Sequence, residues 1–148
     1  DKVMVMDADN LVYPTCLRKL ADALDRHPDA AFAYATLECF GERPGLASAK
    51  AWHVPWLCEM NYIDAQAMLR KAAWERIGGY RTDDVMVFGW EDWELWLRFA
   101  SAGEHGVHVP QMLGRYRTQA ESMITTTNLV ADHMTAHLRE LHPSLPWP

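Results

Sequence analysis

The sequence predicts a single α/β domain in which helices cover both faces of a sheet. Its 148 residues are enough for one domain with a core and too few for two. Short apolar, β-prone runs alternate along the chain with longer runs whose apolar residues recur every three to four positions. This alternation is typical of a sheet flanked by helices.

The first half of the chain is predicted to alternate strand, helix and strand before a long loop. The helix is predicted from apolar residues that recur on one face, and the loop from its Gly and Pro residues. In chain order these elements are a buried strand at 2–6, a helix from Pro14 or Thr15 to Arg26 with Leu17, Leu20, Ala21 and Leu24 on its apolar face, a buried strand at 31–40 and a loop at 41–56.

The second half is predicted to contain three helices and three strands. Glycines end two of the helices, as expected for residues that adopt a left-handed backbone easily. In chain order these elements are a strand at 62–69, a short helix at 71–77 ended by Gly78 and Gly79, a helix at 90–102 ended by Gly103, short strands at 107–110 and 113–117, and an amphipathic helix at 128–141 with a tail.

Composition excludes several classes of protein. The net charge is −6 at pH 7 and the basic residues are scattered, so no nucleic-acid surface is expected. The three cysteines form no CxxC pair, which favours a reducing compartment such as the cytoplasm over a disulfide framework. The histidines lack the spacing of a zinc site.

Two carboxylates, Asp7 and Asp9, follow the first predicted strand. Ligands collect at the carboxyl ends of strands in open α/β sheets, and two neighbouring carboxylates can share Mg²⁺ or Mn²⁺. One of them could instead cap the next helix or stabilise the turn, and the motif alone leaves both interpretations open. A calcium loop is excluded, because Val12 and Arg18 occupy its sixth and twelfth positions, where Gly and Glu are required.

A second pair of carboxylates, Glu91 and Asp92, begins the helix predicted at 90–102. Carboxylates in a first helical turn stabilise free N–H groups, so capping explains the pair. A carboxylate at this position facing a cleft could also accept a proton from a hydroxyl group. Trp90 precedes the helix and could stack on a sugar ring. The helix residues expected in the core are Trp93, Trp96 and Leu97.

Four motifs in this order resemble those of family 2 glycosyltransferases of the GT-A fold, and the resemblance runs from about residue 2 to 123. Together they are far more specific than any one of them. The motifs are Asp7-Ala8-Asp9-Asn10 after a strand, Asn61-Tyr62-Ile63-Asp64-Ala65 with the segment 74–83, the segment 89–98 around Glu91-Asp92, and Arg115-Tyr116-Arg117 with Ser122-Met123.

The resemblance implies a partial GT-A fold, a mixed sheet flanked by helices, that begins at the metal-binding strand and lacks the nucleotide-binding half. The core is expected over 2–123, with a C-terminal helix and tail at 124–148. The implied activity is inverting, Mn²⁺- or Mg²⁺-dependent transfer of a sugar from a nucleotide donor, most often a UDP-sugar, to a hydroxyl of a carbohydrate or lipid-linked acceptor. Without its first half the chain is expected to be inactive and to self-associate through an exposed sheet edge.

The resemblance also implies roles for individual residues. Asp92 would be the general base with Glu91 supporting it, and Asp7 and Asp9 would hold the metal. Gln119 stands where many relatives have a metal-binding histidine, so no third protein ligand is expected there. The acceptor or sugar pocket would contain Asp64, Asp83 and Trp90. The implied setting is polysaccharide or glycoconjugate synthesis in the cytoplasm, with the inner face of the membrane as a location that the resemblance also allows.

Two other functions are compatible with the acidic motifs. A phosphatase of the haloacid dehalogenase type also carries DxD after a strand, with Asp83-Asp84 as its later acidic pair, and would form a phosphoryl-aspartate at Asp7. However, no matching Ser or Thr and Lys follow the strand at 31–40. A non-catalytic carbohydrate-binding remnant would need neither acidic pair. The glycosyltransferase hypothesis further predicts that Asp7, Asp9 and Asp92 converge on one cleft.

Overall fold

The structure, a computed structural model, describes residues 1–82, 89–119 and 130–148 and contains one mixed sheet. The order along the sheet is β1-β5-β3-β6-β2, with β4 paired to β3 off this path. The β3 and β6 strands are parallel, and the other pairs are antiparallel. The strands are β1 (Lys2–Met4), β2 (Leu11–Val12), β3 (Phe32–Gly41), β4 (Gly45–Ala47), β5 (Ala67–Arg70) and β6 (Gly106–Thr118).

Five helices are present in the described residues, and the predicted fold class of helices around a mixed sheet agrees with this arrangement. None of these helices is both long and apolar enough to span a bilayer. They are α1 (Cys16–Arg26), α2 (Val54–Glu59), α3 (Lys71–Arg76), α4 (Glu91–Ser101) and α5 (Ala131–Leu141).

The central strand β3 has a buried cluster on each face. Phe32 and Tyr34 point to one side, where helices α2, α4 and α5 pack, and Phe32 stacks on Trp96 of α4 with ring centroids 4.3 Å apart. Ala33 and Ala35 point to the other side and contact the buried face of α1. This alternation follows from the two-residue period of a strand and confirms the prediction of a sheet covered on both faces.

In the second half of the chain, the structure has one long strand, β6, where the sequence predicts two short ones. The register between β3 and β6 shifts on either side of Thr36, so that Ala35 faces Val109 whereas Thr36 faces Met112. Pro110 lies in this irregular stretch, where a residue without an N–H group interrupts the ladder least. The strand therefore continues past the proline as a bulge.

The prediction of a buried strand at 2–6 is wrong in extent and burial. The β1 strand ends at Met4, and Val3, Val5 and Met6 are 37%, 38% and 47% exposed. The reason is its place at one end of the sheet, where it pairs with β5. An apolar run does not distinguish such an edge strand from a central one. Leu17, expected on the apolar face of α1, is also exposed.

The loop predicted at 41–56 contains β4 and the beginning of α2. Pro55 belongs to the first turn of α2, where its missing N–H is tolerated, and His53 caps that turn by accepting a hydrogen bond from the backbone N–H of Trp56. The predicted strand at 62–69 is shorter than expected, because regular pairing begins at Ala67.

Candidate active site

A cavity of about 700 Å³ opens near the end of β6. It brings together residues from the N-terminal segment, the loop before β5, the start of α4 and the end of β6. Asp7, Asp9 and Asp92 all line it, so their predicted convergence is confirmed, while their chemical roles remain predictions. The other predicted site residues on its wall are Asp64, Trp90, Glu91 and Gln119. Asp83, Ser122 and Met123 lie outside the described residues.

Asn10 fixes the turn that carries Asp7. Its side chain is 3% exposed, its amide donates to Asp7 Oδ2 at 3.2 Å, and its Oδ1 accepts the backbone N–H of Arg117 at 2.9 Å. The turn is therefore tied to β6. Capping of α1 by these aspartates is wrong, because Thr15 occupies the N-cap of that helix. The position of Asn10 directly after the acidic pair is a sequence signal for its contact with Asp7, whereas no local pattern indicates its contact with Arg117.

Asp9 is exposed and has two polar neighbours at the end of β6. The amide of Gln119 donates to Asp9 Oδ2 at 2.9 Å, and Arg117 Nε lies 3.9 Å from the same oxygen. The Gln119 side chain thus takes part in the acidic site, as a hydrogen-bond donor to Asp9.

The electrostatics of this turn fit a hard cation. Partial burial and the neighbouring charge of Asp9 raise the pKa of Asp7, and a bound cation would relieve that repulsion. Among residues 1–82, 89–119 and 130–148, no three His, Cys, Asp or Glu side chains form a group that could hold a metal ion. A cation at Asp7 and Asp9 would therefore take further oxygen ligands from substrate or water.

Asp92 is held by three hydrogen bonds at the start of α4. The amide of Asn61 donates to both carboxylate oxygens at 3.1 Å, and the backbone N–H of Trp93 donates to Oδ1 at 2.7 Å. Through the last contact, Asp92 accepts a hydrogen bond from a free N–H of the first helical turn. Asp92 therefore stabilises the start of α4 and faces the cavity at the same time. Gly89 and Trp90 enter the helix with left-handed backbone angles, φ 101° and 67°.

Burial raises the pKa of Asp92 to about 7, with a further contribution from the charge of Asp64, against the hydrogen bonds from Asn61 and Trp93. Burial likewise raises the pKa of Asp64 to about 6, although its carboxylate accepts the backbone N–H of Gln66 at 2.9 Å. The cavity therefore contains carboxyl groups that titrate near neutral pH, which is the property expected of proton-transfer residues.

Trp90 and Glu91 form part of the cavity wall. Trp90 is partly buried and packs edge-on against Trp93, with ring centroids 4.8 Å apart. Glu91 also lines a smaller adjoining cavity of about 180 Å³ together with Asp7 and Tyr80. The predicted core residues of α4, Trp93, Trp96 and Leu97, are confirmed as buried.

Residues 60–122 match the family model described as the N-terminal domain of galactosyltransferase, a GT-A-like glycosyltransferase family. The matched segment contains Asp64, Glu91 and Asp92, whereas Asp7 and Asp9 lie outside it. No curated protein matches the chain. The match supports a glycosyltransferase-like function in general, and membership of family 2 remains a prediction.

Proposed function

We propose that this chain belongs to a metal-dependent, inverting glycosyltransferase. The enzyme would move a sugar from a nucleotide-diphosphate donor, for which we propose a UDP-sugar, to a hydroxyl acceptor. The observation that carries the proposal is the cavity in which carboxylates from three separate parts of the chain face one another. The match of residues 60–122 to a galactosyltransferase domain supports the same class of chemistry.

In the proposed reaction, Asp92 accepts the proton of the acceptor hydroxyl as that oxygen attacks the anomeric carbon. The pKa of about 7 suits this step, because the carboxylate is largely ionised just above neutral pH and remains basic enough to take a proton. Glu91 supports Asp92 from the preceding position on the same helix. Asp64, Trp90 and Asp83 are proposed to contact the acceptor or the transferred sugar.

Asp7 and Asp9 are the residues proposed to hold Mn²⁺ or Mg²⁺. When bound, the cation would supply positive charge to the diphosphate leaving group. Asn10 fixes the orientation of Asp7, and Gln119 fixes that of Asp9. The three cysteines are free, which suits a reducing compartment. We therefore propose that the reaction takes place in the cytoplasm or at the inner face of the membrane, in polysaccharide or glycoconjugate synthesis.

The proposal is tested by measuring transfer from UDP-, GDP- and TDP-sugars to carbohydrate and lipid-linked acceptors with and without Mn²⁺. The assay uses a longer protein that joins this chain to a nucleotide-binding half, because the 148 residues alone are expected to be inactive. Asp92→Asn is expected to lower kcat by about 10²–10⁴-fold, the usual contribution of a general base. Asp9→Ala is expected to abolish the Mn²⁺-dependent rate while changing the free energy of unfolding by less than about 1 kcal/mol, since the side chain is exposed. Asp22→Asn, at an exposed aspartate on α1, is the matched control.

The same variants separate the alternatives. A phosphatase would hydrolyse phosphate monoesters and leave a phosphoryl group on Asp7, which mass spectrometry of the trapped protein detects. A carbohydrate-binding remnant would bind sugars with unchanged affinity in Asp92→Asn and transfer nothing. Transfer that persists in both Asp9→Ala and Asp92→Asn would overturn the roles proposed here.

A further inference from the structure

We propose that Asn61 is a positioning residue that holds the Asp92 carboxylate in the orientation needed to accept a proton. This inference rests on the proposed function, since it assigns to Asn61 a role in the reaction that Asp92 performs. Asn61 precedes the loop that leads into β5, and its side chain lines the cavity beside Asp92.

Hydrogen bonds at both the nitrogen and the oxygen of the Asn61 amide fix its orientation. Its Nδ2 donates to Asp92 Oδ1 and Oδ2 at 3.1 Å each, while its Oδ1 accepts the backbone N–H of Ile63 at 3.3 Å. The contact with Ile63 determines which end of the amide is the oxygen, so the amino group must face Asp92. Together with the Trp93 N–H bond to Oδ1, this leaves the carboxylate little freedom to rotate.

Two buried tryptophans fix the segment that carries Asn61 against the helix that carries Asp92. The indole N–H of Trp93 donates to the carbonyl of Leu57 at 2.7 Å, and that of Trp96 donates to the carbonyl of Ile63 at 2.9 Å. These contacts bracket Asn61 along the chain, and both tryptophans belong to α4, the helix of Asp92. The distance between Asn61 and Asp92 is therefore set by the core of the domain.

The charges around Asp92 explain why an amide suits this position. The negative charges of Asp64 and Glu91 face Asp92 and raise its pKa. The hydroxyl groups of Tyr80 and Tyr116 are also near, and the charge of Asp92 adds to burial in raising the pKa of both. Ionisation of Asp92 thus needs a hydrogen-bond donor. A Lys or Arg would neutralise the carboxylate and make it a poor base, whereas an amide N–H stabilises the ionised form and leaves lone pairs on both oxygens for a substrate proton.

The inference is tested first by titrating Asp92 directly. In the 148-residue chain labelled with ¹³C at the aspartate carboxyl carbons, Asp92→Asn identifies the Asp92 resonance. Asn61→Asp keeps an oxygen for Ile63, removes the donor and adds a charge, and Asn61→Ala removes the side-chain amide. Both are expected to raise the pKa of Asp92, by about one pH unit or more. Gln111→Ala, which removes an exposed amide of β6 outside the cavity, is the control and should leave the Asp92 titration in place.

The second readout is the pH dependence of transfer. In the longer protein, the pH at which kcat/KM rises should move upward by the same interval in Asn61→Ala, with kcat lowered, and stay in place in Gln111→Ala. An Asp92 titration unchanged in both Asn61 variants would overturn the inference, whatever the activity. If the longer protein, wild type included, transfers no sugar, the proposed function fails, and the carboxyl titration in the 148-residue chain still decides whether Asn61 holds Asp92.

Discussion

At the scale of a single residue, the raised pKa of Asp92 suits proton transfer and also lowers the stability of the folded chain at neutral pH. Its ordinary pKa is near 4, and the folded protein raises it to about 7, so the ionised form is less favourable in the folded chain than in the unfolded one. Between these two values the folded state binds more protons than the unfolded state. Stability contributed by Asp92 is therefore greatest in acid and falls as the pH rises from about 4 to about 7.

Removing that charge is expected to stabilise the domain. Asp92→Asn should raise the free energy of unfolding near pH 8 by up to about 4 kcal/mol, the equivalent of a shift of about three pH units, less the hydrogen bonds that the Asn side chain loses. The gain should be much smaller near pH 4, where the wild-type carboxyl group is already protonated in the folded state. Urea unfolding at the two pH values measures the difference, with Asp22→Asn as the exposed control. A variant that is less stable than wild type near pH 8 would show that the ionised carboxylate and its three hydrogen bonds stabilise the fold.

The pH dependence of wild-type activity should also reflect the raised pKa of Asp92. Because Asp92 must be ionised to accept a proton, kcat/KM is expected to rise with pH and to level off above about 7. A pH series at constant ionic strength and saturating Mn²⁺ measures this limb. An activity that is flat from about pH 5 to 8 would remove Asp92 from the proton-transfer step.

At the scale of elements, close packing between β2, β6 and Gln66, the residue before β5, depends on Gly114. A Cβ at this position would lie 2.2 Å from Gln66 Nε2 and 2.9 Å from the carbonyl oxygen of Leu11, two groups that are hydrogen-bonded to each other. Gln66 is buried, so its amide has little room to move. Any side chain at 114 would push apart the strands beside the acidic turn.

Gly114→Ala is accordingly expected to lower the free energy of unfolding by about 1–3 kcal/mol, the usual cost of overpacking. Gly45→Ala is the matched control, because a Cβ on this β4 glycine would have no neighbour within 4 Å. Thermal unfolding of the two variants compares them directly. Equal melting temperatures would mean that β2 moves away from β6 at no cost.

The C-terminal helix is attached to α4 by a buried charged contact. Glu94 is fully buried, accepts two hydrogen bonds from Arg98 and lies 3.1 Å from His142 Nε2, while His142 Nδ1 lies 3.1 Å from the hydroxyl of Ser101. Although burial opposes ionisation, the contacts with His142 and Arg98 together keep the pKa of Glu94 below its ordinary value. The stability that Glu94 contributes is present above about pH 4 and is lost as the pH falls through the folded-state value.

His142→Ala is expected to destabilise the chain by about 1–3 kcal/mol at neutral pH, because it leaves a buried carboxylate with fewer partners. The loss should shrink only when the pH falls well below the ordinary pKa of Glu94, where the carboxyl group becomes protonated in the folded state as well. His133→Ala, at an exposed histidine of α5, is the control. Urea unfolding near pH 7 and over a series of pH values that extends well below about pH 4 tests both statements. Equal effects of the two variants near pH 7 would contradict the role of His142.

The sequence is most informative about elements whose local pattern and tertiary setting agree. The helix at 91–101 and the strand at 32–41 lie within a residue or two of their predicted positions, because apolar periodicity there coincides with burial. The strand at 2–6 was misjudged because its apolar side chains lie at a sheet edge. The short elements β4 and α2 were missed because Gly45 and Pro55, which usually mark loops, occupy allowed positions within them.

The charged residues of the candidate site could be predicted from the sequence, whereas the asparagines that orient them could not. Acidic pairs after a strand and at a helix start have recognisable positions, so Asp7, Asp9, Glu91 and Asp92 could be singled out. Asn10 and Asn61 act through contacts with residues that are near in space, at sequence separations that no local pattern specifies.

At the scale of the whole molecule, the sheet has exposed apolar strands at both ends. The β1 strand pairs with β5 on one side and β2 pairs with β6, and no other described strand pairs with either of them. Val3, Leu11 and Val12 are exposed along these strands. Unpaired backbone groups next to apolar side chains favour pairing with another chain.

We therefore expect the 148-residue chain to self-associate, with an apparent mass that rises with concentration in light scattering. A lysine on an edge strand opposes such pairing, so Val3→Lys should lower the associated fraction at a given concentration. Leu17→Lys is the matched control, because Leu17 is an exposed apolar residue, 54% exposed against 37% for Val3, that lies on helix α1 and offers no strand edge. If Leu17→Lys lowers association as much as Val3→Lys, general apolar contact rather than strand pairing holds the copies together. A wild-type chain that stays monomeric at every concentration would show that these two short edges are too limited to pair.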